Sequence, residues 1–425
     1  MQVNDLVMKC YDDYLLNLPY YEKMQRYYQN DSDVVIEKSD IDTTSTSKIK
    51  VNYLKKFIRE ECDYILANDI TFVNLDTDNN LEEIVNYNLS HWKKDHDKKL
   101  FRRALLFGRC YEIYYIDKDA QFNSRIVTPL NGYGYFEDDE LKLFLHIFRK
   151  PFDKDTVYMD VYDDKAIHHY KDSTYLNSDN HIFGTIPVGV CIVDDNQKDT
   201  LFEDIKTLQD AYETNLSDLS HEISQYRQAY LKMLNIEVDE TDLPKMKKLG
   251  ILKGQGNNVV IEWLTKNIND NFVMNTLKEI KQNMYELSNH INNNEQLPSN
   301  NSSLAMRTRQ LALENKCKSN ISAMHNLIKD RVKFLFIYLS ILQNKHYDYR
   351  LVKPKFTPSL PQDDLMMAQI LSQVPEDLIS RETARAQFSF IDNTSHEADL
   401  VKKEQEEFNA NMIDLDRLDR AEVHE

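Results

Sequence analysis

Apolar residues stepping by four and three dominate the second half of this chain. Leu201, Ile205, Leu208, Tyr212, Leu216, Leu219, Ile223, Tyr226 and Tyr230 keep that spacing with no Gly or Pro among them. The pattern predicts one amphipathic helix of about 30 residues, roughly 45 Å long. It breaks at Met233, and Pro244 with Gly250, Gly254 and Gly256 marks a turn-rich insert in which Val259, Val260 and Ile261 read as a strand. Val273, Leu277, Ile280, Met284, Leu287 and Ile291 then resume the helical spacing. Two striped helices therefore bracket a small β-containing module.

Next comes the polar loop Asn292-Asn293-Asn294-Glu295-Gln296-Leu297-Pro298-Ser299-Asn300-Asn301, whose proline breaks helices. Ser302 or Ser303 is placed to cap a helix running to about Gln343, with Ile321, Met324, Ile328, Val332, Leu335, Leu339 and Leu342 on one face. Arg307, Arg309, Lys316, Lys318, Lys329, Arg331 and Lys333 face only Glu314 and Asp330 there, a basic stretch in an acidic chain.

The N-terminal part to about Leu66 predicts helices separated by a Ser/Thr-rich link at 40–47, with Val51, Leu54, Phe57, Ile58, Cys62, Ile65 and Leu66 at helical spacing. Phe101 to Gly108 continues as helix. After it, Cys110–Ile116, Leu141–Phe148, Val157–Tyr162 and Ala166–Tyr170 read as strands separated by acidic and Asn-rich turns. Prolines 354, 358, 361 and 375 punctuate a strand and a turn, Ser380 to Ile391 reads as a capped helix, and beyond Glu397 an acidic helix frays into a disordered tail. The fold class is α+β, mainly helical, with a small, mostly antiparallel sheet.

Composition narrows the chemistry. Only 8 glycines occur, and loops that cradle phosphates are built on glycine because backbone must approach the ligand. The five cysteines, Cys10, Cys62, Cys110, Cys191 and Cys317, are scattered and form no C-x-x-C pair, so they read as small buried hydrophobes rather than a disulfide framework or zinc site. No run of about 18 apolar residues predicts a membrane span. The start carries acidic residues where a signal peptide is basic, so synthesis and retention in a cytosol are expected. A net charge of -18 fits either a protein that never meets DNA or one that must not grip it.

Catalytic signatures are incomplete. The Gly250–Gly256 cluster lacks the Lys-Ser/Thr pair of a P-loop, and Gly132-Tyr133-Gly134 lacks the third glycine of a dinucleotide fingerprint. His221-Glu222 is followed by Gln225 where a zinc protease needs histidine. Asp76 to Asn80 opens like a calcium loop, but Leu81 and Tyr87 stand where Gly and Glu belong. His168 and His169 beside Asp163 and Asp164 read as a metal contact or, more simply, as a polar strand end. No cofactor is expected.

The order of these segments resembles the portal proteins of tailed bacteriophages, of the type found in phages of Gram-positive bacteria. The likeness runs from Lys48–Ile58 and Tyr64–Ile70, through Ala104–Tyr114, Ile186-Pro187-Val188 with Asp210–Leu219, and Ser302–Leu342, to Leu378–Ala384 and 397–407. It covers most of 20–410. The family's Gly-Asn-Pro-Ile turn is altered here: Asn68 and Ile70 are kept, with Ala67 and Asp69 in place of Gly and Pro.

The resemblance implies a portal fold: a wing at 1–199, stem helices at 200–232 and 270–291, a clip at 233–269, a tunnel loop at 292–301, a long wing helix and return strand at 302–360, a crown at 361–410 and an acidic tail at 411–425. It also implies a non-enzymatic ring, usually of twelve, at one capsid vertex of the virion. Expected partners are copies of the chain itself, double-stranded DNA, the large terminase subunit, a head-tail adaptor, and capsid and scaffold proteins. On this resemblance Asn292, Asn293, Asn294, Glu295 and Gln296 face DNA, the alternative being a plain linker between two helices. Lys245, Lys247, Lys248 and Lys253 are either a terminase or adaptor contact or a solvated face, and Arg307, Arg309, Lys316 and Lys318 meet DNA or acidic neighbours in the ring. The rival reading is a helical adaptor or scaffold protein of the particle without a DNA channel.

Overall fold

Left-handed backbone at Gly108 (φ 75°) ends one helix and opens the central strand of the larger unit, turning the chain where a side chain would meet Thr200. The computed structural model describes residues 3–34, 48–76, 80–193, 199–226, 230–234, 260–264, 270–292, 303–358, 364–375 and most of 378–406. The chain divides into two units, one of Met1–Asp63 with Thr71–Lys355 and one of Tyr64–Ile70 with Phe356–Glu425.

The described elements run α1 (Val3–Tyr28), α2 (Tyr53–Ile65), β1 (Thr71–Asn74), α3 (Leu81–Leu89), α4 (His96–Phe107), β2 (Arg109–Ile116), β3 (Phe122–Val127), β4 (Gly132–Glu137) and β5 (Glu140–Lys150). They continue as β6 (Asp153–Tyr162), β7 (Ala166–Lys171), β8 (Thr174–Asn180), β9 (Val188–Ile192), α5 (Leu201–Tyr226), β10 (Tyr230–Leu234), β11 (Val260–Leu264), α6 (Asp270–Leu287), α7 (Ser303–Gln343) and β12 (Val352–Lys355). Every described strand pairing is antiparallel. The expected mixture of helix and small antiparallel sheets is what is found.

Strand alternation builds the layers. β4 to β8 form a five-stranded meander, and β3, β2 and β9 form a three-stranded sheet. Leu143, Leu145 and Ile147 of β5 pack with Met159, Val161 and Tyr170 against Val7, Cys10 and Tyr14 of α1. The intervening Phe144 points the other way, onto Tyr111, Ile113 and Val127 of the three-stranded sheet. The opposite face of that sheet presents Tyr114 and Phe122 to Val332, Phe334, Leu335 and Tyr338 of α7. Each such side chain contributes about 1.5–3 kcal/mol on burial. The predicted face of α7 is therefore core: Met324, Ile328, Val332 and Leu335 are fully buried, whereas Leu342, in the last turn, is exposed.

Three helix boundaries differ from the sequence reading. The helix expected to reach Tyr230 is described as far as Tyr226, and Tyr230 instead opens β10, whose ladder with β11 pairs it with Leu264. α6 ends at Leu287, followed by left-handed Asn289, so Ile291 lies beyond it. In the smaller unit, α8 (Asp364–Gln373) is followed by α9 (Arg381–Arg385), which Ser380 caps by accepting from the Thr383 N–H at 3.1 Å. Phe388 sits in a bend rather than in a helix reaching Ile391. Asn68 of this unit, kept from the family's turn, donates to the Thr357 carbonyl at 3.1 Å.

Candidate functional site

The two striped helices do pack together, but beyond Leu201, Phe202 and Ile205 the most buried face of α5 is polar. Gln209, Glu213 and Ser217, one turn apart, are 1%, 0% and 1% exposed, while Leu208, Tyr212, Leu216 and Leu219 are half-buried. The polar line holds the chain entering α2. Gln209 Oε1 accepts from the Leu54 N–H at 3.2 Å, Glu213 Oε1 from the Val51 N–H at 2.9 Å, and Ser217 Oγ from the Ile49 N–H at 3.0 Å. Ser32 Oγ donates to the other Glu213 oxygen at 2.5 Å. Backbone donors ahead of a helix are thus satisfied by side chains from a helix distant in sequence. On α6, Leu277 and Met284 are buried as expected, but Phe272, Met274 and Leu287 are more than half exposed, as is Ile223 on α5.

A buried cluster lies where α6 leads toward the polar loop. Glu61 of α2 is fully buried; its Oε2 accepts from Asn320 Nδ2 at 2.9 Å, and Lys316 Nζ lies 3.1 Å from Oε1. That ion pair lacks the alignment of a hydrogen bond, since Oε1 has no such partner. Lys316 also donates to the Ser288 carbonyl at 3.0 Å, tying the end of α6 to α7. His290 is stacked on Phe57, with Nδ1 2.8 Å from the Ser288 carbonyl and Nε2 3.2 Å from the Phe57 carbonyl. Burial raises the Glu61 carboxyl above its ordinary range against the pull of Lys316, and burial together with Lys316 pushes the His290 imidazole down to about 3.

A second buried ionic network was not singled out from sequence. Glu112 faces α7 from β2, and Arg331 reaches it from among the apolar positions of that helix. His96 Nε2 lies 2.6 Å from Glu112 Oε1; Ser124 Oγ donates to the same oxygen at 2.8 Å, and the Tyr114 hydroxyl donates to Oε2 at 3.0 Å. Asp97 accepts from the Arg331 guanidinium at 2.7 Å, and the Trp92 ring lies under that cation. Burial pushes the Glu112 carboxyl up, but Arg331 and His96 outweigh it and hold it at about 2. The available signal was a glutamate inside an apolar strand run and an arginine beside Val332.

The sequence-derived candidates divide accordingly. Lys245, Lys247, Lys248 and Lys253 lie outside the described residues, as do Asn293, Asn294, Glu295 and Gln296; Asn292 is the last described residue before the loop. Arg307 and Arg309 occupy the first turns of α7. Lys318 is exposed, whereas Lys316 is committed within its own chain to Glu61 and Ser288. Positions 316 and 318 lie 200° apart around a helix at 100° per residue, so the two lysines meet different surroundings.

The histidine pair is not one site. Neighbours on a strand point to opposite faces, so His168 pairs with Asp163 at 2.8 Å while His169 pairs with Asp160 at 2.7 Å. Among the described residues no group of three or more His, Cys, Asp or Glu is arranged to hold a metal ion. All five cysteines are buried and free. Burial pushes the Cys110 thiol up to about 12, far from a nucleophilic thiolate. No described helix is long and apolar enough to cross a membrane.

The chemistry of these residues is thus anchoring and pairing: helix-to-helix ties and buried ion networks, with Lys318 exposed beside them. A search of the curated proteins finds no match to the chain. The model of a phage portal protein family, described as SPP1 Gp6-like, matches residues 8–410. Spanning nearly the whole sequence, that match places the chain in the phage portal protein family, a family of structural proteins of the phage capsid and its genome packaging.

Proposed function

We propose that this chain is one subunit of a closed ring, usually of twelve, at a single capsid vertex, through which duplex DNA is packaged and later ejected. In this reading α5 and α6 are the stem, the β10–β11 module is the clip that docks terminase and the head-tail connector, and the loop from Asn292 lines the tunnel. The wing comprises the two sheets with α1 to α4 and α7, and the helices after Asp364 belong to the crown.

The observation that carries this reading is the family match over 8–410, joined to the paired helices that bracket a two-stranded module. The charge is compatible with it. Twelve copies at -18 each bring roughly -200 charges, which keep a polyanion from adhering along the channel. Uncharged Asn293, Asn294 and Gln296 exchange hydrogen bonds with passing phosphates at little cost. Nothing in the described residues favours the adaptor reading. Electron microscopy of the negatively stained, purified protein tests the proposal. Rings of about a dozen subunits with a hole wide enough for duplex DNA are expected; monomers or open fibres across salt and concentration overturn it.

A further inference from the structure

A cleft of about 300 Å³ opens between α1 and strands β2 and β4, walled by Tyr14, Asn17, Tyr21, Tyr111 and Tyr133 with Arg109 among them. Arg109 is the sole charged residue in its lining. The guanidinium Nε is buried and has no hydrogen-bond partner. Its described interactions are with the Tyr111 and Tyr21 phenols, and no described ion pair joins it to a carboxylate.

Four other polar side chains of the cleft are already engaged. Tyr14 donates to the Leu130 carbonyl at 2.6 Å, Tyr133 to Asp13 at 2.8 Å and Tyr135 to Glu137 at 2.6 Å. The Asn17 amide donates back to the Asp13 carbonyl at 2.9 Å. The largest remaining donor capacity is on the guanidinium, with five N–H bonds in a planar fork, set among aromatic rings that lower the local dielectric. A fork of that geometry pairs with a carboxylate through two parallel hydrogen bonds.

We propose that this cleft is a carboxylate-binding site, with Arg109 as the anchoring cation and the tyrosine rings packing on the apolar stem that carries the carboxylate. A group of this kind is available from a second copy of the chain, which has 70 acidic against 52 basic residues. That source rests on the ring proposed above. A free carboxylate needs no ring, so the two sources are separable.

The probe is benzoate, with neutral benzamide as its control, titrated by calorimetry into the purified full-length chain before and after assembly. Saturable benzoate binding is expected in the unassembled chain, at least tenfold weaker in Arg109→Lys, and lost in Arg109→Gln, with benzamide not binding. Arg109→Gln melting at the wild-type temperature without ligand shows that the loss is local. Rings that exclude benzoate while the unassembled chain binds it assign the cleft to an acidic side chain of the neighbouring copy. Equal binding in both states assigns it to a free carboxylate. Benzamide binding as well as benzoate, unchanged binding by Arg109→Gln, or no binding in either state overturns the proposal. If the chain forms no rings, the unassembled arm still decides the site.

Discussion

Arg331 places its Nε 3.0 Å from Oε2 of Glu112 and a terminal nitrogen 3.1 Å from Oε1, closing a two-pronged pair between residues 219 apart in sequence. Both side chains are almost wholly buried. The pair ties β2, at the centre of the three-stranded sheet, to the 41-residue α7, which packs on that sheet.

Breaking one side of that pair leaves an uncompensated buried charge. Arg331→Met lowers the unfolding free energy by about 3–5 kcal/mol, while the double variant Arg331→Met with Glu112→Leu recovers much of the loss. Urea unfolding of the wild type, the two single variants and the double variant checks this. A double variant as unstable as the sum of the singles rules out coupling.

The adjacent basic residues of α7 separate by the same logic. Lys316→Met strands the Glu61 carboxylate and costs about 3 kcal/mol, whereas Lys318→Met on the exposed flank changes stability by less than about 0.5 kcal/mol. If Lys318 meets DNA or a neighbour's acid in the ring, its variant alters salt dependence of assembly or packaging without moving the melting temperature. Thermal melts run beside packaging assays in a salt series read both quantities.

Much of this architecture was legible in the sequence, and its failures have a common cause. Strands β2, β5, β6 and β7 announced themselves through β-branched and aromatic runs, but β8, Thr174–Asn180, is exposed throughout and carries no apolar alternation. Tyr226 and Tyr230 keep helical spacing, yet position 230 belongs to a ladder whose partner lies 34 positions further on, at Leu264. Spacing cannot report a partner strand that distant. The polar line Gln209, Glu213 and Ser217 was invisible for a related reason. Periodicity reads hydrophobic burial, and these residues are buried because backbone N–H groups of another segment need acceptors. The family was legible through the order of the segments from Lys48 to 407, which no single motif carries.

Glu213 is the centre of that line, so its removal is felt at a distance. Glu213→Ala leaves the Val51 N–H and the Ser32 hydroxyl without their acceptor and costs about 1–3 kcal/mol. Hydrogen exchange at the Val51 amide accelerates in the variant, while amides of the five-stranded sheet keep their protection. Unchanged exchange at Val51 shows that the entry to α2 is held by something else.

Acid acts at the end of α6 through His290. Its folded-state pKa, about 3, lies below the ordinary imidazole value of 6.5, so the unfolded chain binds the extra proton first as the pH falls. Stability is then full above about pH 6.5 and declines progressively toward pH 3. His290→Asn removes this contribution and flattens the melting temperature over that window, at some cost at neutral pH from lost stacking on Phe57. Melting curves of both proteins across pH 4 to 7.5 decide it, and parallel profiles assign the acid sensitivity to other groups.

The loop from Asn292, proposed above to line a tunnel, supplies the last and most direct test of function. The cluster that holds the end of α6 to α7 uses Ser288, His290, Lys316 and Glu61, none of which belongs to the loop. Deleting Asn292 to Gln296 therefore leaves the helices anchored and ring assembly intact. If those five residues meet DNA, particles made with the shortened chain package incompletely or lose their genomes, and the phage titre falls while ring yield does not. A normal titre removes the loop from the channel and leaves it a plain linker between two helices.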